Sequence, residues 1–168
     1  MNEVLQQLYA RKSVRAFEES EITPQEKQAI LRAAFEAPTA GNQQLYTILD
    51  ITDSALKQTL SETCDHQPFI AKAPMVLIFC ADCQKWLDAY EACGCAPRRP
   101  GPGDLLLAMA DACIAAQNAV TAAQSLGIGS AGPAGICRSG CHAGVWAPGA
   151  QPACARKAAP LRGQVSGA

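Results

Sequence analysis

The sequence lacks a net charge of either sign. Its 168 residues carry 14 Lys and Arg against 15 Asp and Glu, a formal net charge of -1 with His neutral. General attraction to nucleic acid or to an anionic membrane depends on clustered positive charge, so neither is expected here. Any anion-binding site must therefore be local. The length suits one domain built around one core.

Histidine is also scarce, because the chain has only His66 and His142. Neither has a partner at a spacing that would make it a general base, so we predict no catalytic side chain. The first ten residues lack the apolar core of a secretory leader, which indicates a cytoplasmic protein. The most apolar window, residues 105–120, contains Asp111 and Asn118 and is rich in alanine. We expect it to form a buried helix and not a membrane span.

Cysteine is the exception to this scarcity, with nine residues. In a chain without an export signal we interpret them as reduced thiols. Cys80 and Cys83, followed by Cys93 and Cys95, raise the alternative of a zinc site. The second pair has only one intervening residue and Cys80 ends an apolar strand, so we predict no metal.

Apolar spacing and capping signals predict alternating helices and strands, which suggests layers of both. Thr23-Pro24-Gln25-Glu26 is a capping box with Pro at the first helical position. Asp104 is predicted to cap a long apolar helix that Gly127 closes. Helices are predicted for about two turns from residue 2 and over 24–36, 53–63, 84–92 and 105–126. Strands are predicted over 45–51 and 75–80, the latter with the continuous apolar run of a central strand.

Residues 11–17 (RKSVRAF) follow the first predicted helix and carry three cations and a hydroxyl. Arg11, Ser13 and Arg15 alternate along the segment, so in an extended chain they share a face and can converge on one phosphate. The alternative is a solvated basic surface.

Four segments occur in the order typical of one family: residues 11–17, residues 37–43 (APTAGNQ), residues 73–74 (AP) before an apolar strand, and residues 115–130. Together they resemble the nitroreductase family of flavoproteins over residues 1–130. The resemblance implies an α+β fold, a three-layer α/β/α sandwich whose long central helix forms the dimer. It also implies that residues 1–130 are an FMN-binding domain.

The resemblance assigns a cofactor site to three parts of the chain. A phosphate would be held by the basic segment, whose cations can also stabilise the reduced flavin. A loop before the first strand would face a cofactor held mainly by the partner subunit, and Gln67 would place an amide near the flavin ring. The implied residues are Arg11, Lys12, Ser13, Arg15, Pro38, Thr39, Ala40, Asn42 and Gln67. The alternatives are an ordinary helix-to-strand turn for the loop and a surface side chain for Gln67.

The implied activity is that of an FMN-dependent oxidoreductase. Hydride would pass from NAD(P)H through the flavin to a nitroaromatic, quinone or related acceptor, in a homodimer with shared flavin sites. Two alternatives from other classes remain. One is a non-catalytic, truncated protein that binds flavin weakly or not at all, and the other is a module that sequesters flavin.

Residues 131–168 differ in composition from the rest of the chain. They contain no Asp or Glu and are rich in Ala, Gly, Pro and Cys. The resemblance stops at about residue 130, so we expect the fold to be incomplete at the C-terminus and this tail to be disordered. Such a tail is typical of a shifted reading frame or of an unrelated fused end.

Overall fold

The computed structural model describes residues 2–18 and 20–131, and the predictions for the tail beyond residue 131 lie outside them. The helices are α1 (Glu3–Ala10), α2 (Pro24–Phe35), α3 (Ser54–Thr63), α4 (Phe69–Lys72), α5 (Gln84–Ala92) and α6 (Pro102–Ser125). The strands are β1 (Tyr46–Asp50) and β2 (Leu77–Ala81), and a 3-10 turn covers Ala40–Asn42. The 3-10 turn and α4 were not predicted, because elements of three and four residues are too short to show a period.

The capping box predicted at the start of α2 is present. The Glu26 backbone N–H donates to the Thr23 hydroxyl at 3.3 Å, and the Thr23 backbone N–H donates to the Glu26 carboxylate at 2.8 Å. Hydrogen bonds from Thr23 lower the pKa of Glu26. Further along α2, Ile30 and Ala34 are buried. The box therefore fixes where the helix begins and which face it presents to the core.

The prediction that Asp104 is the N-cap of α6 is wrong, because the helix begins one turn earlier. The helix begins at Pro102, a residue favoured at the first helical position, so Gly101 is the N-cap. Asp104 instead accepts the Gly101 backbone N–H at 2.7 Å and binds both terminal nitrogens of Arg98 at 2.7 and 2.8 Å. The Arg98 guanidinium holds the pKa of Asp104 well below its usual range.

The C-terminal end of α6 is closed at Gly127, as predicted. Gly127 has φ 77°, a left-handed conformation that favours glycine. Its backbone N–H donates to the Gln124 carbonyl at 3.0 Å, and the Ile128 N–H donates to the Ala123 carbonyl at 2.9 Å. This pair of bonds ends the helix and turns the chain toward residues 128–131.

The core lies where α6 packs against α2 and the sheet. Strands β1 and β2 pair antiparallel with Ile48 opposite Phe79. The side of α6 that faces them is built from small residues, which let neighbouring backbones approach closely. These are Ala108, Ala112, Ala115, Ala116, Ala119 and Ala123, all buried.

The expectation of a central strand at residues 75–80 is not matched within residues 2–131, where β2 pairs with β1 alone. Helix α6 is long and apolar enough to cross a membrane by length and composition. In this fold it is the core helix, since its alanines pack against α2 and both strands.

Candidate functional site

The basic segment 11–17 is held in place by the chain that follows α6. The Val14 backbone N–H donates to the Ser130 carbonyl at 3.0 Å, and Ser13 and Ser130 form a parallel β-bridge. A Cβ added at Gly129 would lie 2.9 Å from Cγ2 of Val14. Glycine is therefore required at position 129 for the two segments to approach this closely.

A groove of about 730 Å³ opens beside this contact. It is bounded by the basic segment, by Glu18, Glu21 and Glu26, by the chain from α3 to β2 and by residues 127–131. Lys12, Val14 and Ala16 line it, and so does Gln67. Lys12, Val14 and Ala16 show the alternation of an extended segment, whereas Arg11, Ser13 and Arg15 are not among the residues that line the groove.

Arg11 carries the feature that most directly indicates a ligand. Its Nη1 nitrogen is buried and has no hydrogen-bond partner within residues 2–131. Burying a guanidinium donor without an acceptor is costly, so such an atom marks a place where an anion is expected. Arg15 lies over the Phe69 ring, with its guanidinium carbon 5.9 Å from the centroid. The donor set, guanidinium groups with a nearby hydroxyl, fits a phosphate monoester.

Gln67 lies two residues before the first residue of α4. Two residues with positive φ precede it, Asp65 at 60° and His66 at 50°. Its Nε2 donates to the Cys64 carbonyl at 3.1 Å, which orients the amide at the groove. The structure therefore brings Gln67 and Lys12 to one groove.

The loop formed by residues 38–44, between α2 and β1, is strained. Gly41, Asn42 and Gln44 have φ of 58°, 55° and 51°. A left-handed conformation costs an L-residue roughly 1–2 kcal/mol, less for Asn, and persists only where surrounding contacts impose it. Local bonds account for part of this, because the Gln44 N–H donates to the Thr39 hydroxyl at 3.3 Å.

The remaining restraints on this loop come from distant helices. Asp111 of α6, only 2% exposed, accepts the backbone N–H groups of Ala40 and Leu45 through its two oxygens, each at 3.1 Å. The Trp86 indole N–H of α5 donates to the Gln43 carbonyl at 2.6 Å. Pro38 and Asn42 remain exposed at the surface. Asp111 was not predicted to bind this loop, and the only signal in the sequence was an acidic residue within an alanine-rich helix.

Lys85 of α5 lies beside Tyr46, at the start of β1. Lys85 Nζ donates to the Tyr46 carbonyl at 2.7 Å and lies 5.5 Å from the centroid of the Tyr46 ring. Burial lowers the pKa of Lys85, while the charges of Asp82 and Asp111 act in the opposite direction. Burial, together with the charge of Asp111, raises the pKa of Tyr46. The loop is therefore tied to a polar cluster at the edge of the core.

The cysteines predicted to be reduced include free thiols at Cys83, Cys93, Cys95 and Cys113. Burial and the neighbouring Asp104 and Asp82 raise the pKa of the Cys83 thiol. Across residues 2–18 and 20–131, no three His, Cys, Asp or Glu side chains are grouped so that they could hold a metal ion.

Taken together, these features define an α+β protein with a groove beside a basic segment and with a strained loop. Comparison with known proteins identifies the family: the sequence profile of the nitroreductase family matches residues 8–132. The chain belongs to the nitroreductase family.

Two curated relatives illustrate the similarity. The FMN reductase (NAD(P)H) of Bacillus subtilis (strain 168) is 33% identical over 132 residues, which are 77% of this chain and 53% of that protein. The oxygen-insensitive NADPH nitroreductase of Salmonella typhimurium is 32% identical over 137 residues, covering 81% of this chain and 55% of the relative. The chain thus spans about half the length of the curated relatives it matches.

Solved structures of similar proteins have the same fold. The structure of the hypothetical oxidoreductase YcnD from Bacillus subtilis is 33% identical, with a TM-score of 0.74, and the match covers 77% of this chain and 53% of that one. The predicted α+β nitroreductase-like fold is therefore confirmed.

Proposed function

We propose that residues 1–130 form the flavin-binding part of an FMN-dependent oxidoreductase that uses NAD(P)H. The observation that carries this proposal is the buried, unpartnered Nη1 of Arg11, in the basic segment of a chain that belongs to the nitroreductase family. When bound, FMN would supply the redox chemistry, taking hydride from NAD(P)H and delivering it to a nitroaromatic, quinone or related acceptor.

The basic segment is the proposed phosphate site. Arg11 and Arg15 offer charge-assisted donors, and the Ser13 hydroxyl lies between them on the same side of the chain. Lys12, on the groove side, would supply a cation near the ligand and stabilise negative charge that develops on it. Gln67 lines the same groove and would donate or accept a hydrogen bond at the ring.

The strained loop is the proposed second half of the site. Pro38, Thr39, Ala40 and Asn42 are anchored against α5 and α6, whereas the basic segment is anchored on residues 129–130. We propose that each loop completes the flavin site of the other subunit in a homodimer. This arrangement gives the strained loop a ligand to contact.

Exposed apolar side chains support the homodimer. Val4 and Tyr9 of α1 are 62% and 71% exposed, and Leu106 of α6 is 67% exposed. Helix α1 packs on α6 near Gln124, so Leu106, close to the first residue of α6, belongs to a separate exposed region. Apolar surface of this kind is typical of a protein interface. We propose a cytoplasmic homodimer with small-molecule substrates.

The experiment is a visible absorption spectrum of the purified full chain, recorded after incubation with FMN and gel filtration, followed by an assay of NAD(P)H oxidation. We expect retained flavin in a dimer-sized peak and NAD(P)H oxidation that requires a quinone or nitroaromatic acceptor. A colourless protein at high added FMN would refute the flavin site.

A non-catalytic protein is the second candidate. It is favoured by the three glutamates that line the groove with Lys12, because negative charge there disfavours a phosphate. Flavin retained without NAD(P)H oxidation would identify a sequestering module. A colourless, aggregating chain would identify a protein that does not function as a reductase.

A further inference from the structure

We propose that Asp111 is a positioning residue, which holds loop 38–44 in the conformation that the proposed flavin contacts require. The link to flavin rests on the function proposed above. The restraint on the loop rests on the geometry of the carboxylate alone.

One carboxylate spans the whole turn. Oδ1 accepts the Ala40 N–H and Oδ2 accepts the Leu45 N–H, both at 3.1 Å, so Asp111 closes the loop from its first helical residue to the residue before β1. Two acceptor oxygens are needed to bind both N–H groups at once. An asparagine has one such oxygen, and its amide group would face an N–H donor.

The loop needs such a restraint because its conformation is unfavourable by itself. The positive φ of Gln44, and to a smaller degree that of Asn42, would relax if the ends of the loop were free, whereas Gly41 adopts it without cost. Trp86 secures the middle through the Gln43 carbonyl, but its ring is 36% exposed. Asp111 is the buried anchor, and it projects from the rigid core helix.

The cost of burying this carboxylate supports a role beyond packing. A buried charge is unfavourable unless it is paired and hydrogen-bonded. The other six buried residues of α6 are all alanines, and Ala108 and Ala112, on either side of Asp111, show that this part of the helix packs well with small apolar residues. A charged residue here is explained by the loop that it binds.

The test compares Asp111→Asn with Asn118→Ala in the full chain. Asn118 is a matched control on the same helix, since its Nδ2 donates to the Ala33 carbonyl of α2 at 3.0 Å and not to the loop. The first readout is amide hydrogen exchange at Ala40 and Leu45, measured without flavin. We expect exchange at least about tenfold faster in Asp111→Asn and unchanged in Asn118→Ala.

The second readout is FMN affinity by fluorescence titration. We expect Asp111→Asn to bind FMN about tenfold to a hundredfold more weakly, and Asn118→Ala to stay within about threefold of the parent. Equal effects in both variants, tracking their thermal midpoints, would overturn the positioning role, because a merely structural residue would act through stability.

A second variant and the flavin-free exchange experiment distinguish failure of this inference from failure of the proposed function. If Asp111→Asn fails to fold, Asp111→Ser removes the charge and is too short to reach both N–H groups, and the same two readouts apply. If the parent chain itself retains no FMN, the proposed function fails. The exchange experiment then tests only whether Asp111 restrains the loop. Exchange at Ala40 and Leu45 that is unchanged in Asp111→Asn would overturn the inference, and faster exchange would support it.

Discussion

Replacing Gly129 by alanine is expected to separate the basic segment from residues 129–130, two parts of the chain that meet beside the groove. The new Cβ would lie 2.9 Å from Cγ2, 3.0 Å from Cβ and 3.3 Å from Cγ1 of Val14. A change of rotamer moves only the two Cγ atoms of Val14. The contact with its Cβ remains, so the backbone must shift and the Val14 N–H must move away from the Ser130 carbonyl.

The size of the effect follows from these contacts. Overpacking typically costs about 1–3 kcal/mol, and loss of one hydrogen bond costs about 0.5–1.5 kcal/mol. Breaking the bond relieves part of the clash, so the terms do not add fully. We expect destabilisation of about 2 kcal/mol, which lowers the thermal midpoint of a chain of this size by about 4–8 °C. FMN retention should fall with it.

Thermal unfolding by circular dichroism, with and without FMN, is the assay. Gly103→Ala is the control, because a Cβ at this helical position meets nothing within 4 Å. It should be neutral or stabilising by up to about 1 kcal/mol. Adding Val14→Ala to Gly129→Ala removes two of the three close contacts and should restore part of the loss. A Gly129→Ala midpoint within about 1 °C of the parent would refute the close approach.

Three other predictions test separate parts of the structure. Arg11→Leu should abolish FMN retention yet leave the midpoint of the flavin-free protein equal or higher, since a buried donor without a partner is removed. A lower flavin-free midpoint would make Arg11 structural. Thr23→Ala should cost about 1 kcal/mol in urea unfolding through loss of the capping box, and an unchanged midpoint would contradict this. Asp104→Asn should be less stable at neutral pH. Because Arg98 lowers the folded pKa of Asp104, the parent's advantage exists above about pH 4 and disappears as the pH falls further, and parallel pH profiles would contradict it.

Features of the fold with local causes were predicted from the sequence. The capping box at Thr23 and the glycine at 127 act through hydrogen bonds within a few residues, so their signals are contained in short stretches. Asp104 was predicted to be the N-cap of α6, but it lies in the first turn, three residues after the N-cap. Pro102 is also typical of a helix start, and here it is the first helical residue. Helix α4 was missed because four residues show no period.

The candidate site was predictable only in part. Lys12, Val14 and Ala16 line the groove in the alternation expected of an extended segment, and the convergence of Arg11, Ser13 and Arg15 on one phosphate stays a prediction. The hydrogen bond from Ala40 to Asp111 was not predictable, because the two residues are 71 positions apart in the sequence and no local pattern indicates their contact. The unpartnered nitrogen of Arg11 likewise depends on what surrounds it in three dimensions. The assignment of these residues to flavin remains a prediction.

The bridge between Ser13 and Ser130 has a consequence for synthesis of the chain. The basic segment leaves the ribosome early, but its partner strand is more than a hundred residues away, beyond the whole of α6. At roughly 5–20 residues per second, the segment waits on the order of 10 s before that partner is translated. Contacts of such long range form late in folding because the intervening chain must first be ordered. The basic segment, which is translated first, is therefore among the last parts of the groove to assemble. Binding of the proposed cofactor would follow completion of the core helix.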